Sequence, residues 1–472
     1  MRALLWFKQD LRLDDHPAVQ AGLSAEQLLP VFILDPAQLQ LNEFGSRRLG
    51  VHRARFLLES LVALDGALRQ RGSNLLVVPG IPEEVIPELV ERFSLQQVLT
   101  LAEIAPEESS QLNRVRQRLG TLPLVELQSN GLFRTDDLPC PVNELPQVFT
   151  QFRALIEERL HVFQPRPAPE QLPPLPDGAH ELLAGLPTLS QMGLGEPLSV
   201  AGSAFPFSGG EIAAQARLRD YLWNTQGVRQ YKDTRNGMIG SEYSSKFSPW
   251  LANGSLSPRR AVAELRRHES QYGRNESTDC LWAELLWREF FRWTLLRHGS
   301  ALFKAGSLKA TEHAPMQLDE RFEHWCQGRT GMPLVDATMR ELATTGYISN
   351  RGRQVVASYL IMDLQQDWRY GAAWFEEHLI DYDPASNWGN WAYLAGIGSD
   401  PQRRQLFNAL HQAREYDPEA EYVSLWLPEL RHIPQHLRHT PFLLPHLQLD
   451  ALNYPRLEQI PETWRPYMPH AA

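Results

Sequence analysis

Short apolar runs, "ALLWF", "LLPVFILD", "NLLVVPG", "QVLTLAE" and "LPLVEL", punctuate residues 1–133 and read as buried strands. Between the second and third, Phe56, Leu57, Leu61, Leu64 and Leu68 recur at three- and four-residue steps, which places them on one face of a helix. Strands alternating with helices predict a parallel, doubly wound sheet, hence an α/β N-terminal domain. No GxGxxG follows the first strand and no GxxxxGK[ST] occurs, so the fold alone names no ligand.

The pattern then changes twice. Residues 134–207 carry nine prolines between Pro165 and Pro206 and little periodicity, which predicts a long connector with short helices such as one around Gln147 to Glu158. Residues 208–472 are helical in period, with Gly, Pro and Ser/Asn/Asp punctuation, and predict an all-helical C-terminal domain. Twelve of the thirteen tryptophans follow residue 220. That asymmetry fits a planar ligand or an electron path, and equally a helical core that buries large aromatics.

Composition narrows the class. Hydrophobic residues make up 43% of 472 residues, and no apolar run approaches the roughly 18–20 residues of a membrane helix. We therefore expect a soluble protein. The start, "MRALLWFKQDLRLDDH", lacks the apolar length of a secretory signal and has too many acids for a transit peptide. Cys140, Cys280 and Cys326 lie far apart, without disulfide or zinc spacing, which fits a reducing cytoplasm. A net charge of −10 excludes a protein that coats nucleic acid over its whole surface and leaves room for a local basic patch.

Several segments carry candidate chemistry. In "YSSKFSPWLANGSLSPR", Ser244, Ser245, Lys246 and Ser248 precede Pro249; a capped helix start and a phosphate cradle are both compatible. In the helix containing "LLWREFFRW", Glu284, Trp287 and Arg288 fall three to four residues apart and can line a cavity wall, or form a solvated face beside a core tryptophan. Asn350, Arg351 and Arg353 open a helix after a glycine turn, with Arg353 placed to meet a carboxylate. The span "LIDYDPASNWGNWAYLAGIGSDP" crowds acids, amides, tryptophans and tyrosines together but supplies no histidine, cysteine or lysine. Asp381 and Asp383 form no evident oxygen cage, so redox chemistry on a bound cofactor suits the span better than hydrolysis. His432, His436 and His439 are interrupted by Pro434 and do not suggest a metal site.

Taken in order, "LLWFKQDLRLDDHPAV", "YKDTRNGMIGSEYSSKFSPWLANGSLSPR", "TGMPLVDATMRELATTGYISNRGRQVVASYL" and "DYDPASNWGNWAYLAGIGSDP" with "YDPEAEYVSLWLPEL" resemble the photolyase/cryptochrome flavoprotein family, closest to its cryptochrome DASH branch. The resemblance implies an antenna-binding α/β domain and an FAD-binding helical domain. By position it places Tyr231, Ser244, Ser245, Lys246, Phe247 and Ser248 around the adenine-side phosphates. Arg288, Asn350, Arg353, Asp381, Asp383 and Asn387 would line the flavin, with Arg353 and Asp381 as a buried pair and Asn387 against the reactive ring nitrogen.

The implied activity is light-driven splitting of cyclobutane pyrimidine dimers in DNA by a cytoplasmic monomer. Glu284, Trp287, Asn350, Gln354 and Tyr393 match lesion-contacting positions. Tyr393 and Gln354 stand where duplex-repairing relatives carry Trp and Met, which implies a preference for single strands. Arg403 and Arg404, with Arg259 and Arg260, are candidates for the phosphate-binding patch. Trp391 and Trp368 match the first two members of an electron path whose third position, counted back from Trp325, holds Pro315 beside Met316. We therefore expect the electron path to stall after two steps or to leave through another aromatic residue. Glu103 matches the loop that holds a methenyltetrahydrofolate antenna. A light-sensing flavoprotein without repair activity is the alternative; the chain stops at Ala472 without a long signalling tail, which favours repair. A thermal flavin oxidoreductase is disfavoured, since no nicotinamide fingerprint accompanies the site.

Overall fold

A computed structural model describes residues 1–468 apart from 129, 198–204, 310–317, 400–406 and 458–459. Pro315, Met316, Arg403 and Arg404 therefore lie outside the described residues. All five predicted strands form: β1 (Arg2–Phe7), β2 (Gln27–Leu34), β3 (Leu76–Pro79), β4 (Gln97–Leu101) and β5 (Leu124–Leu127). They pair in parallel in the order β3-β2-β1-β4-β5, with Leu4 opposite Leu29 on one side and Val98 on the other.

The central strand shows why the sheet must be covered twice. Ala3, Leu5 and Phe7 point to one face and pack with Leu57, Leu61, Leu64 and Leu68 of α1 (Val51–Arg69). Leu4 and Trp6 point to the other and pack with Ile86, Leu89 and Phe93 of α2 (Pro82–Phe93) and with Leu112 and Val115 of α3 (Pro106–Leu119). A strand apolar on both faces is stable only between two layers.

The proline-rich connector contains α4 (Phe149–Arg159), close to the predicted short helix. It also does more than link. Leu172, Leu189 and Leu194 join one core of the α/β layer, and Leu175 and Ala179 join the other. Phe149, Phe152 and Ile156 of α4 bury in the helical half.

After residue 127 the described residues contain no further strand. The helical half includes α5 (Pro258–Tyr272), α6 (Glu276–His298), α7 (Pro333–Thr345), α8 (Asn350–Ser358), α9 (Trp368–His378) and α10 (Pro384–Leu394). None of the described helices is long and apolar enough to cross a membrane.

The two halves are joined by a buried ionic seam. Arg12, 1% exposed, donates to the carbonyls of Asp14, Asp15 and Gly254. Asp15 accepts from Arg259 Nε at 2.9 Å and from Ser257 Oγ at 2.5 Å, and Asp14 accepts from Arg260 Nη2 at 2.7 Å. This corrects the reading of Arg259 and Arg260 as a phosphate-binding patch: both guanidinium groups are committed to carboxylates of the N-terminal half. Asp15→Ala removes the counter-charge of a pair that stays desolvated, so we expect a loss of about 3–5 kcal/mol, read as a lower urea midpoint at unchanged slope.

Candidate functional site

The cavity opens from local rules of helix initiation. Ser349 caps α8 by accepting from Gly352 N at 3.0 Å, which fixes Asn350, Arg353 and Gln354 along one wall. Asp383 caps α10 by accepting from Ser386 N at 2.7 Å, with Pro384 in the first turn, and so Asn387, Asn390 and Trp391 form a second wall. Glu284, Leu285 and Arg288 of α6 form the third, one helical turn apart. The segment from Tyr243 to Ser248 closes one end, with Tyr231 beside it. The cavity measures about 280 Å³.

Its polar groups are held in fixed orientations. Arg353 Nη2 lies 2.8 Å from Asp381 Oδ2, and its Nε donates to the Ile348 carbonyl at 3.1 Å. The other Asp381 oxygen is buried without a protein partner. Asn387 donates through Nδ2 to the Ala372 carbonyl at 2.9 Å, which leaves its oxygen as the atom available to the cavity. Lys246 is 3% exposed and rests over the Tyr243 ring, 3.2 Å from its centre, with no hydrogen-bonded partner among the described residues. Burial pushes its ammonium well below the usual lysine range. Glu284 is pushed up by burial and is paired with Arg235.

Not every predicted residue faces this cavity. Trp287 is stacked on Phe149 of the connector helix, centroids 3.8 Å apart at 10°, and its edge meets Tyr393 at 6.1 Å. Trp287 and Tyr393 thus form an aromatic cluster next to the lining and not part of it, a correction to Trp287 as a cavity wall. Trp391 lines the cavity; Trp368 lies behind it and meets Trp388 edge-on at 5.7 Å. Arg235, Tyr347 and Asn390 line the cavity and were missed. Asn390 was within reach of the sequence, lying three residues from Asn387 on the same helix.

A second cavity of about 440 Å³ lies between the α/β layer and α9 and α10. Glu103 lines it, paired with Lys8 at 2.9 Å. Glu108 also lines it, and burial beside Glu103 pushes its carboxyl up to about 7. Tyr382 and Asp383 belong to both cavities. Among the described residues no group of three or more His, Cys, Asp or Glu could hold a metal ion. His439, one of the three histidines considered, instead contacts the Asp417 carbonyl at 2.5 Å.

The first cavity suits a folded dinucleotide carrying a fused aromatic ring. Hydroxyls, a buried cation and a helix start suit a diphosphate. Leu285, Phe375, Leu379 and Trp391 offer apolar walls, and Arg353, Asp381 and Asn387 offer a fixed polar edge. The unpartnered Asp381 oxygen and the buried Lys246 amine are the groups a bound FAD would satisfy.

A parallel α/β layer seamed to a helical body around such a cavity defines a flavin-binding protein of two parts. A sequence profile described as "DNA photolyase" matches residues 3–173, and one described as "FAD binding domain of DNA photolyase" matches residues 281–462. The chain belongs to the DNA photolyase/cryptochrome family. It is 44% identical to a cryptochrome DASH of Gloeobacter violaceus over 93% of this chain and 88% of that one. A relative of 41% identity from Arabidopsis thaliana, covering 93% of this chain and 77% of its own, is named "Cryptochrome DASH, chloroplastic/mitochondrial". The solved cryptochrome of Synechocystis superposes with a TM-score of 0.92 at 39% identity, covering 99% of both chains.

One prediction follows from Lys246. In the flavin-free protein its amine is buried with no hydrogen-bonded partner among the described residues, so replacing it with methionine should raise the melting temperature of that form. In the flavin-loaded protein the same change should weaken FAD binding by about tenfold or more, because a charge-assisted contact is lost. Because burial depresses the ammonium and an anionic phosphate restores it, flavin binding takes up a proton. FAD affinity should therefore fall as pH rises through the window below 10.5, and Lys246→Met should flatten that dependence. Parallel thermal melts and flavin titrations across pH measure both effects.

Proposed function

We propose that this protein binds FAD in the first cavity and, in blue light, splits cyclobutane pyrimidine dimers in DNA, with single-stranded or flipped-out lesions preferred. The reduced flavin supplies the photoexcited electron that opens the dimer and receives it back afterwards. The protein's contribution is to bind, orient and keep dry.

Lys246 and the hydroxyls of Ser244, Ser245 and Ser248, with Phe247 and Tyr231 beside them, hold the diphosphate and adenine side. Arg353, fixed by Asp381, sets the polar edge of the ring. Asn387, its nitrogen donating to Ala372, would present its oxygen to a bound ring, and an acceptor there would favour a reduced flavin, which carries a ring N–H. Arg288 and Asp383 close the ring site, and Asn350 and Glu284 face the lesion. Glu284, oriented by its pairing with Arg235, would offer its carboxyl group to the lesion. Trp391 and Trp368 restore the reduced state. Methenyltetrahydrofolate occupies the second cavity, with Glu103 among its contacts, and the protein works as a cytoplasmic monomer.

The observation that carries this reading is the Arg353–Asp381 pair set beside an oriented Asn387 in a cavity that also has the apolar walls Leu285, Phe375, Leu379 and Trp391. One observation favours a sensory flavoprotein instead: Phe149 covers a face of Trp287, the ring a flipped base would stack on. Illumination of the purified, reduced protein with dimer-containing single- and double-stranded oligonucleotides separates the two. Restored thymines in the single strand support repair. Bound flavin with no repair of either substrate moves the assignment to the sensory reading.

A further inference from the structure

The wall shared by the two cavities carries a hydrogen-bonded phenol that the proposed repair chemistry leaves unused. Tyr382 lines both cavities. Its hydroxyl accepts from Trp388 Nε1 at 3.3 Å, and the Glu376 carboxylate is its charged neighbour. Arg53 lies over its ring at 4.8 Å, and Arg48 Nη1 is 3.7 Å from Glu376 Oε1, so phenol and carboxylate are held from both sides. Trp388 in turn meets Trp368 edge-on and sits three residues before Trp391, on a neighbouring position of the same helix face.

These three indoles are at most 4% exposed. A hole left on any of them by a photoexcited cofactor therefore cannot be discharged directly to solvent. A phenol is the better end point when a base lies beside it, because oxidation makes the O–H strongly acidic and the neighbouring carboxylate can take the proton. Burial pushes the Glu376 carboxyl up, which makes its ionised form a stronger proton acceptor.

We propose that Tyr382 is the terminal electron donor of the tryptophan cluster beside the flavin cavity, with Glu376 as its proton acceptor. In this step the Tyr382 O–H bond breaks. One electron fills the hole on the oxidised Trp388, restoring its neutral indole, and the proton bonds to a Glu376 oxygen. A neutral tyrosyl radical and a neutral carboxylic acid result, so charge balances. The oxidant of the tryptophans is light-excited oxidised flavin, which keeps the electron. The inference rests on the flavin reading, and it gives the electron an exit that does not pass through position 315.

Transient absorption and electron paramagnetic resonance of the flavin-loaded protein test it, with Tyr382→Phe, Trp388→Phe and Glu376→Gln compared at matched flavin occupancy and circular dichroism. The wild type should give a long-lived tyrosyl signal whose formation slows in deuterium oxide. Tyr382→Phe should leave only tryptophanyl radicals that recombine about tenfold faster or more. Glu376→Gln should slow tyrosyl formation and abolish the solvent isotope effect. A tyrosyl signal that persists in Tyr382→Phe, or a flavin-loaded wild type that shows tryptophanyl radicals alone, overturns this inference and leaves the flavin reading standing. Protein that cannot be loaded with flavin removes both.

Discussion

Arg353→Ala protein is expected to purify without flavin and to unfold at lower urea than the wild type. The Asp381 side chain is 2% exposed, and Arg353 is its ionic partner at 2.8 Å. Removing the guanidinium leaves a carboxylate in a site from which water is largely excluded. Breaking a buried pair from one side costs about 3–5 kcal/mol, far more than the pair contributes as a net attraction. If that cost falls on the flavin-competent form of the cavity, it corresponds to roughly 10²–10⁴-fold in apparent FAD affinity. Asp381→Asn should lose much less, since a neutral amide keeps the shape and can still accept from Arg353. The flavin-to-protein absorbance ratio and a urea titration read both effects. Arg353→Ala protein that retains a full complement of flavin would show that the pair does not set the ring's polar edge.

What could be read from the sequence was whatever repeats locally. The five strands were legible because each is a short apolar run bounded by turn residues, and α1 because its leucines keep a helical step. The Arg353–Asp381 contact was anticipated only as a type of partner, since nothing local ties two residues separated by 28 positions. Arg259 and Arg260 show the limit more sharply. Both look like free surface cations in a basic helix start, yet their partners, Asp15 and Asp14, precede them by 244 and 246 residues. Trp287 is a similar case: its stacking partner Phe149 belongs to the connector, where periodicity predicted little beyond a short helix. Pairings across the seam between two halves leave no periodic trace, so side-chain commitments there are invisible until the chain is folded.

Strand preference is where a small change of side chain should have a large effect on activity. A dimer in a duplex must leave the stack, at a cost of a few kcal/mol, whereas one in a single strand has largely paid it already. On the repair reading, stacking on the protein would recover that cost, at about 1–3 kcal/mol per base. Tyr393, edge-on to Trp287 at 6.1 Å in the aromatic cluster beside the cavity, offers a smaller ring there than tryptophan, and Gln354 brings a buried, unpartnered Oε1 to the cavity wall. An unsatisfied amide oxygen penalises every approach of an apolar ring, and methionine removes that penalty while keeping the length of the side chain. The double variant Tyr393→Trp, Gln354→Met should therefore raise duplex repair by about tenfold and change single-strand repair by less than about twofold, measured as dimers split per absorbed photon on matched oligonucleotides. Wild-type protein that repairs both substrates equally, or a double variant whose duplex rate stays fixed, would mean that strand preference is set outside these two positions.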